Sequence, residues 1–284
     1  MEDLLLRDVV RALDELYPPS SAAEWDRVGL VTGDLDQPVR RVLLAVDPTL
    51  AVIEEAADWH ADLLVTHHPL LLRGVHSVAT TSAKGAAVTR LVVSDTALFV
   101  AHTNADVADP GVTTVLADAL GLTGARALSA TGGYAVGCVG DLPAAESLAA
   151  FADRVADALP DTAGGIRVSG EPGALVRTVA VLGGAGDDRF DAVRASGADV
   201  YVTADLRHHP ALEAREEARG GRPYLVDAGH WATESLWPHS ARERLLSALG
   251  EDAAAPTRVE ARVSTIRTEP WTFVVGANAA GGAS

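Results

Sequence analysis

The sequence predicts an α/β protein in which mainly parallel sheets are covered by helices. Three observations carry that prediction. Runs of β-forming residues alternate with Ala-rich runs of helical period, one strand–helix–strand stretch recurs at a constant offset, and the chemically distinctive side chains fall just after the strands. At 284 residues the chain is long enough to bury one large core or two ordinary ones.

An opening helix is read over residues 3–17, where Leu4, Leu5, Val9, Leu13 and Leu16 recur at helical spacing and Pro18 and Pro19 end the pattern. RRVLLAVD (40–47) then reads as a strand, PTLAVIEEAADWH (48–60) as a helix, and DLLVT (62–66) as a strand leading into a loop. ALFVA (97–101) is the next strand and GVTTVLADALG (111–121) the next helix. The middle is less regular: AVGCVGDLP (135–143) reads as a strand, 144–160 as a helix closed by Pro160, and IRVSG (166–170) as a short strand. The second half resumes the alternation with strands at 176–184, 198–205 and 223–230 and helices at 187–197 and 209–220. Residues 276–284, GANAAGGAS, have nothing with which to form a core and read as a flexible tail.

Val42–Thr66 and Val179–Thr203 align without a gap at an offset of 137, and both end in Ala-Asp, two apolar residues and Val-Thr. This reads as an internal duplication of one strand–helix–strand unit. The copies part after the shared Val-Thr: the first continues with His67 and His68, the second with Ala204 and Asp205.

Composition removes several function classes. A single cysteine, Cys138, excludes an internal disulfide and any zinc ribbon built on thiolates, and it reads as a small core residue. A formal net charge of −16 argues against a surface that tracks nucleic-acid phosphates. The longest apolar runs fall short of a membrane span, and the N-terminus carries acids where a signal peptide carries lysines, so a cytoplasmic protein is expected.

In parallel α/β sheets ligands gather beyond the carboxyl ends of the strands. His67 and His68 follow the strand at 62–66, HTNAD (102–106) follows that at 97–101, and GHWATE (229–234) follows the strand read within 223–230. His67, His68, His102, Asp106, His230 and Glu234 are thereby directed to one edge. If Gly229 lets a helix begin, His230 and Glu234 at i, i+4 share a face. Adjacent strand residues point to opposite faces, so His67 and His68 suit two neighbouring ions better than one. The set His67, His68, Asp106, His230 and Glu234 offers three imidazoles and two carboxylates, at least one of them bridging. Such mixed donors point to two divalent ions per chain, Zn, Fe or Mn rather than Ca or Mg, and to an electropositive centre suited to a small anionic substrate.

EWDRVGLVTGD (24–34), AVDPT (45–49), ADLLVTHHPLLLRG (61–74), AHTNAD (101–106), GGAGDD (183–188), ADVYVTADLRHH (198–209) and VDAGHWATE (226–234) together resemble, in order, the motifs of the Nif-three-like dinuclear-metal-centre family, many members of which are called GTP cyclohydrolase I type 2 homologues. The resemblance spans about residues 5–275. It implies two similar, intertwined α/β/α lobes, a first over 1–130 and a second over 131–275, assembled into a hexameric ring with a dinuclear site facing its interior. Its metal ligands fall on His67, His68, Asp106, His230 and Glu234, the same set. Two positions depart from the family pattern: Arg27 stands where Asn is usual, and Ala204 where Gly is usual.

Other features are read more plainly. VLGGAGDD (181–188) is a tight turn rather than a dinucleotide fingerprint, since the third glycine is missing. His102, four residues before Asp106, is a candidate to orient a ligand or carry a proton, and His209 could line the same cleft. The expected function is a metal-dependent hydrolase acting on a small molecule, by resemblance a purine nucleotide; the alternative is a non-catalytic protein that binds, delivers or scaffolds around the metals.

Overall fold

The structure, a computed structural model, describes residues 4–250 and 259–276. Apart from Gly276, the expected tail lies outside the described residues. In chain order the first elements are α1 (Leu6–Leu16), β1 (Gly29–Thr32), β2 (Arg41–Ala45), α2 (Leu50–Asp58), β3 (Leu63–Thr66), α3 (Ala83–Val93), β4 (Ala97–Val100), α4 (Thr103–Asp106) and α5 (Val112–Ala119). There follow β5 (Thr123–Thr131), β6 (Tyr134–Ser147), α6 (Leu148–Ala158), β7 (Arg167–Ser169), β8 (Leu175–Ala185), α7 (Phe190–Ser196) and β9 (Val200–Ala204). The last are α8 (His208–Glu217), β10 (Tyr224–Asp227), α9 (His230–Glu234), α10 (Trp237–Ala248) and β11 (Glu260–Val263).

Two sheets result, in the orders β1-β4-β3-β2-β11 and β5-β6-β8-β9-β10-β7. The first is mainly parallel, only β1 running against its neighbour β4. The second departs from expectation: β8-β9-β10 is parallel, but β5, β6 and β7 pair antiparallel. The reason is local. Gly132 and Gly133 take φ of 60° and 88°, the left-handed pair that closes a two-residue hairpin, so β5 must turn straight back into β6. That Gly-Gly was the signal for β5, which the periodicity of the sequence did not reveal. The sheets also interleave along the chain. β5 begins before residue 131 yet joins the second sheet, and β11 returns from the far end to the free edge of β2, so a division at 130/131 does not separate them.

Each sheet is buried on both faces, which is why its parallel strands are near-continuous apolar runs. In the first, Val42, Leu44, Leu63, Val65 and Phe99 pack with α1 and α10, while Leu43, Leu64 and Leu98 pack with α2 and α3. In the second, Val179, Val181, Val200 and Val202 face α5 and α6, and Ala180, Leu182 and Tyr201 face α7 and α8. Full burial of each such Val or Leu contributes about 1.5–3 kcal/mol. Cys138 is buried in the second core, where burial pushes its thiol up to about 12. Among the described residues no helix is long and apolar enough to cross a membrane.

The duplication extends to individual hydrogen bonds. Val42 pairs with Leu63 and Val179 with Val200, the same register at the offset of 137. The Asp62 carboxylate accepts from the backbone N–H groups of Arg40 and Arg41 at 2.7 and 2.8 Å, and Asp199 accepts from those of Arg177 and Thr178 at 2.7 and 3.0 Å.

Candidate metal centre

The carboxyl ends of β3, β4 and β10 deliver the expected side chains to one place. Just past β3 the chain bends at His67 and His68, whose N–H groups still donate to the carbonyls of Ala45 and Val46. The two rings therefore come together instead of pointing to opposite faces, their centroids 4.9 Å apart and their planes tilted by 43°. His67 turns inward, 1% exposed and 5.4 Å from the Trp237 ring, whereas His68 is partly exposed and meets His230 at 5.1 Å between ring centroids.

Gly229, at φ 80°, lets α9 start at His230, and Glu234 comes round on the same face with Oε1 3.1 Å from His230 Nε2. Glu234 is the hub. Its Oε2 lies 3.1 Å from His68 Nε2 and its Oε1 3.5 Å from His67 Nε2, while Asp106 Oδ1, at the end of α4, lies 3.5 Å from the same His67 nitrogen. Space for this carboxylate is made by Gly184, whose φ is 69° and where any Cβ would overlap Glu234 Oε1. The glycine-rich turn is thus a wall of the cluster.

Each imidazole is held from behind through Nδ1. His67 Nδ1 meets the Ala101 carbonyl at 2.9 Å, His68 meets Asp47 at 2.7 Å, His230 meets Asp205 at 2.8 Å and His102 meets Asp26 at 2.9 Å. Sequence reasoning missed these three carboxylates. Asp26 and Asp47 stand inside WDRVGL and AVDPT, and Asp205 is the residue that aligns with His68 in the repeat. The usable signal was that an imidazole presenting one nitrogen to a site needs an acceptor for the other.

Among the described residues two groups of side chains could hold a metal ion, His67 with His68 and His102, and His68 with His230 and Glu234. The donor chemistry fits. Glu234 Oε2 is buried and has no hydrogen-bond partner, because its 3.1 Å approach to His68 lacks hydrogen-bond alignment. His68 Nε2 and His230 Nε2 face one another at 3.3 Å. Such convergence of lone pairs suits a cation between them.

The electrostatics agree. Burial pulls the His68 ring down, but the hydrogen bond to Asp47 and the adjoining carboxylates of Glu234 and Asp47 outweigh it and raise the ring to about 10. His230 goes likewise to about 11 through Asp205 and Glu234. Burial pushes Glu234 up, yet the surrounding histidines hold it well below the carboxylate range. Burial and the Glu234 charge leave Asp106 raised, against the pull of His67. The cluster is a trap for positive charge, filled by protons when no metal competes.

Among the other candidates, Arg27 is exposed and its guanidinium donates to the Asp26 carbonyl at 2.5 Å. Ala204 is buried in β9 opposite Ala185. His209 is exposed in the first turn of α8, its ring 5.1 Å from His208; the second repeat reaches the cluster through Asp205 instead.

The family model for Duf34/NIF3 (NGG1p interacting factor 3) matches residues 4–270. A Streptomyces coelicolor protein named GTP cyclohydrolase 1 type 2 homolog is 48% identical, over 94% of this chain and 93% of its own. A Mycobacterium leprae protein of the same name is 35% identical, over 94% of each. A crystal structure of a Bacillus cereus protein related to NIF3 superposes with a TM-score of 0.87 at 25% identity, covering 96% of this chain and all of that one.

Proposed function

The chain belongs to the Duf34/NIF3 family, and we propose that within it this protein is a dinuclear metal-dependent hydrolase acting on a small anionic substrate. A purine nucleotide is the first candidate, in keeping with the name its relatives carry. The observation that carries this reading is the convergence of His68, His230 and Glu234, with Glu234 Oε2 buried and outside any hydrogen bond.

His68, His230 and Glu234 would hold one ion, and His67 with Asp106 would hold the other. Glu234, within 3.5 Å of all three histidine nitrogens, would be the carboxylate shared between them. Two divalent ions there, Zn, Fe or Mn, would supply a water of lowered pKa and polarise a carbonyl, ring carbon or phosphoryl group. Five protein ligands for two ions leave positions for water and substrate. His102, its Nδ1 tied to Asp26, keeps Nε2 available beside His67 and His68 to hold or pass a proton. Trp25, 59% exposed and edge-on to His102 at 5.9 Å, offers a flat apolar face that suits a heteroaromatic substrate. The proposal extends to a homo-oligomer, hexameric by family resemblance, for which exposed Trp271, Phe273 and Val275 supply apolar surface; light scattering in solution tests it.

Elemental analysis combined with a nucleotide-hydrolysis screen, on the wild type and Glu234→Ala, tests the activity. Two metals per chain and a turnover that disappears with them support the hydrolase. Two metals without turnover favour a metal-binding or delivery protein, and absence of metal from the wild type refutes both.

A further inference from the structure

The carboxylates behind the histidines do not all stand there for stability. Asp205 is the informative one. It is more than half exposed, its carboxylate bonds to His230 Nδ1 at 2.8 Å, and an exposed pair of this kind adds little to folding. Its φ is 54°, left-handed backbone that Asp and Asn tolerate better than most side chains. It also occupies the position that aligns with His68 in the repeat. Asp47 does the corresponding task for His68 at 2.7 Å and is itself braced by the Thr268 hydroxyl, which reaches in from the segment after β11.

A carboxylate accepts, so each pairing keeps an imidazole proton on Nδ1 and leaves Nε2 as the nitrogen that gives up its proton to a metal. Those two Nε2 atoms face each other at 3.3 Å, one from each half of the duplication. We propose that Asp47 and Asp205 are positioning residues that set the tautomer and ring orientation of His68 and His230, so that both offer Nε2 to one shared divalent cation. In the second repeat the strand-end position has thus become a support for a ligand where the first repeat uses it as the ligand.

The inference rests on the metal-centre reading, and Co2+ titration of the metal-free full-length protein separates the two. Asp205→Gly removes the carboxylate without straining φ, and Asp205→Asn keeps an acceptor without the charge. The Gly variant is expected to weaken Co2+ binding by about 10- to 100-fold and to alter the visible spectrum of the bound ion, with Asn recovering part of the loss. The urea midpoint of the metal-free protein should stay at the wild-type value. Asp47→Asn gives the same reading from the other side of the pair and is independent of the backbone at 205. Wild-type affinity and spectrum in Asp205→Gly overturn the inference and leave the metal centre standing. A loss of affinity matched by a loss of metal-free stability also overturns it, since the role is then structural. A wild-type protein that takes up no Co2+ overturns the metal reading itself.

Discussion

The two copies of the strand–helix–strand unit have one backbone and two kinds of chemistry. Their strands pair in the same register, and Asp62 and Asp199 tie down equivalent strand starts with equivalent hydrogen bonds. Among the many aligned positions where they differ, three bear on the cluster: Asp47 against Gly184, His67 against Ala204 and His68 against Asp205. The first copy presents ligands and one support. The second presents a support, a buried alanine and a glycine that clears room for Glu234. The frame is therefore specified by backbone pairing and apolar burial, while the site is specified by a few side chains beyond the strand ends, which can change without disturbing the frame.

Glu234 is where the halves meet, so its loss should have the largest effect. Glu234→Ala should reduce metal uptake to nearly none of the wild-type amount while far-UV circular dichroism stays native; collapse of the fold would mean that bound metal holds the halves together. Gly184→Ala comes next, since its Cβ would drive into Glu234 and φ 69° disfavours any side chain. A loss of about 1 kcal/mol from the backbone and a marked drop in metal affinity are expected, read by urea denaturation and chelator competition. Unchanged metal binding would show that the second copy does not shape the site.

Asp62→Ala and Asp199→Ala test the sameness of the frames. Each strands two backbone donors, so each should cost about 1–3 kcal/mol, and the two values should agree. A large inequality would break the equivalence. The smallest effect concerns pH. Burial pushes Asp26 up, but bonds from His102 and Thr103 outweigh it and hold the carboxylate below its ordinary value of 3.8. A folded-state value below the unfolded one adds stability above pH 3.8 that is lost as pH falls towards the folded value. Metal-free Asp26→Asn should accordingly lose less stability between pH 5 and 2 than the wild type, as followed by acid denaturation.

The parallel strands, most of the helices between them, the repeat and the side chains that gather at the cluster were legible in the sequence because each has a local signature: apolar runs with turn residues, a fixed offset, or histidines just past a Val-Thr. Strands β1 and β11, helices α3, α4 and α10 and hairpin strand β5 were not read. β11 has meaning only as a partner for the β2 edge, and α10 because Trp237 seals the core beneath His67. The supports Asp26, Asp47 and Asp205 escaped for the same reason. Asp26 and Asp205 lie 76 and 25 residues from the histidines they hold, and nothing local marks an aspartate as an acceptor for a distant ring.

By itself the sequence determined the fold class, the duplicated frame and the six side chains at the cluster, since these follow from periodicity and from residue types at strand ends. Only the tertiary structure decided which nitrogen each histidine turns forward, that Glu234 lies within reach of three of them, and which glycine leaves it room. Those are properties of distances between chain segments far apart in sequence, and such distances exist only once both sheets have packed.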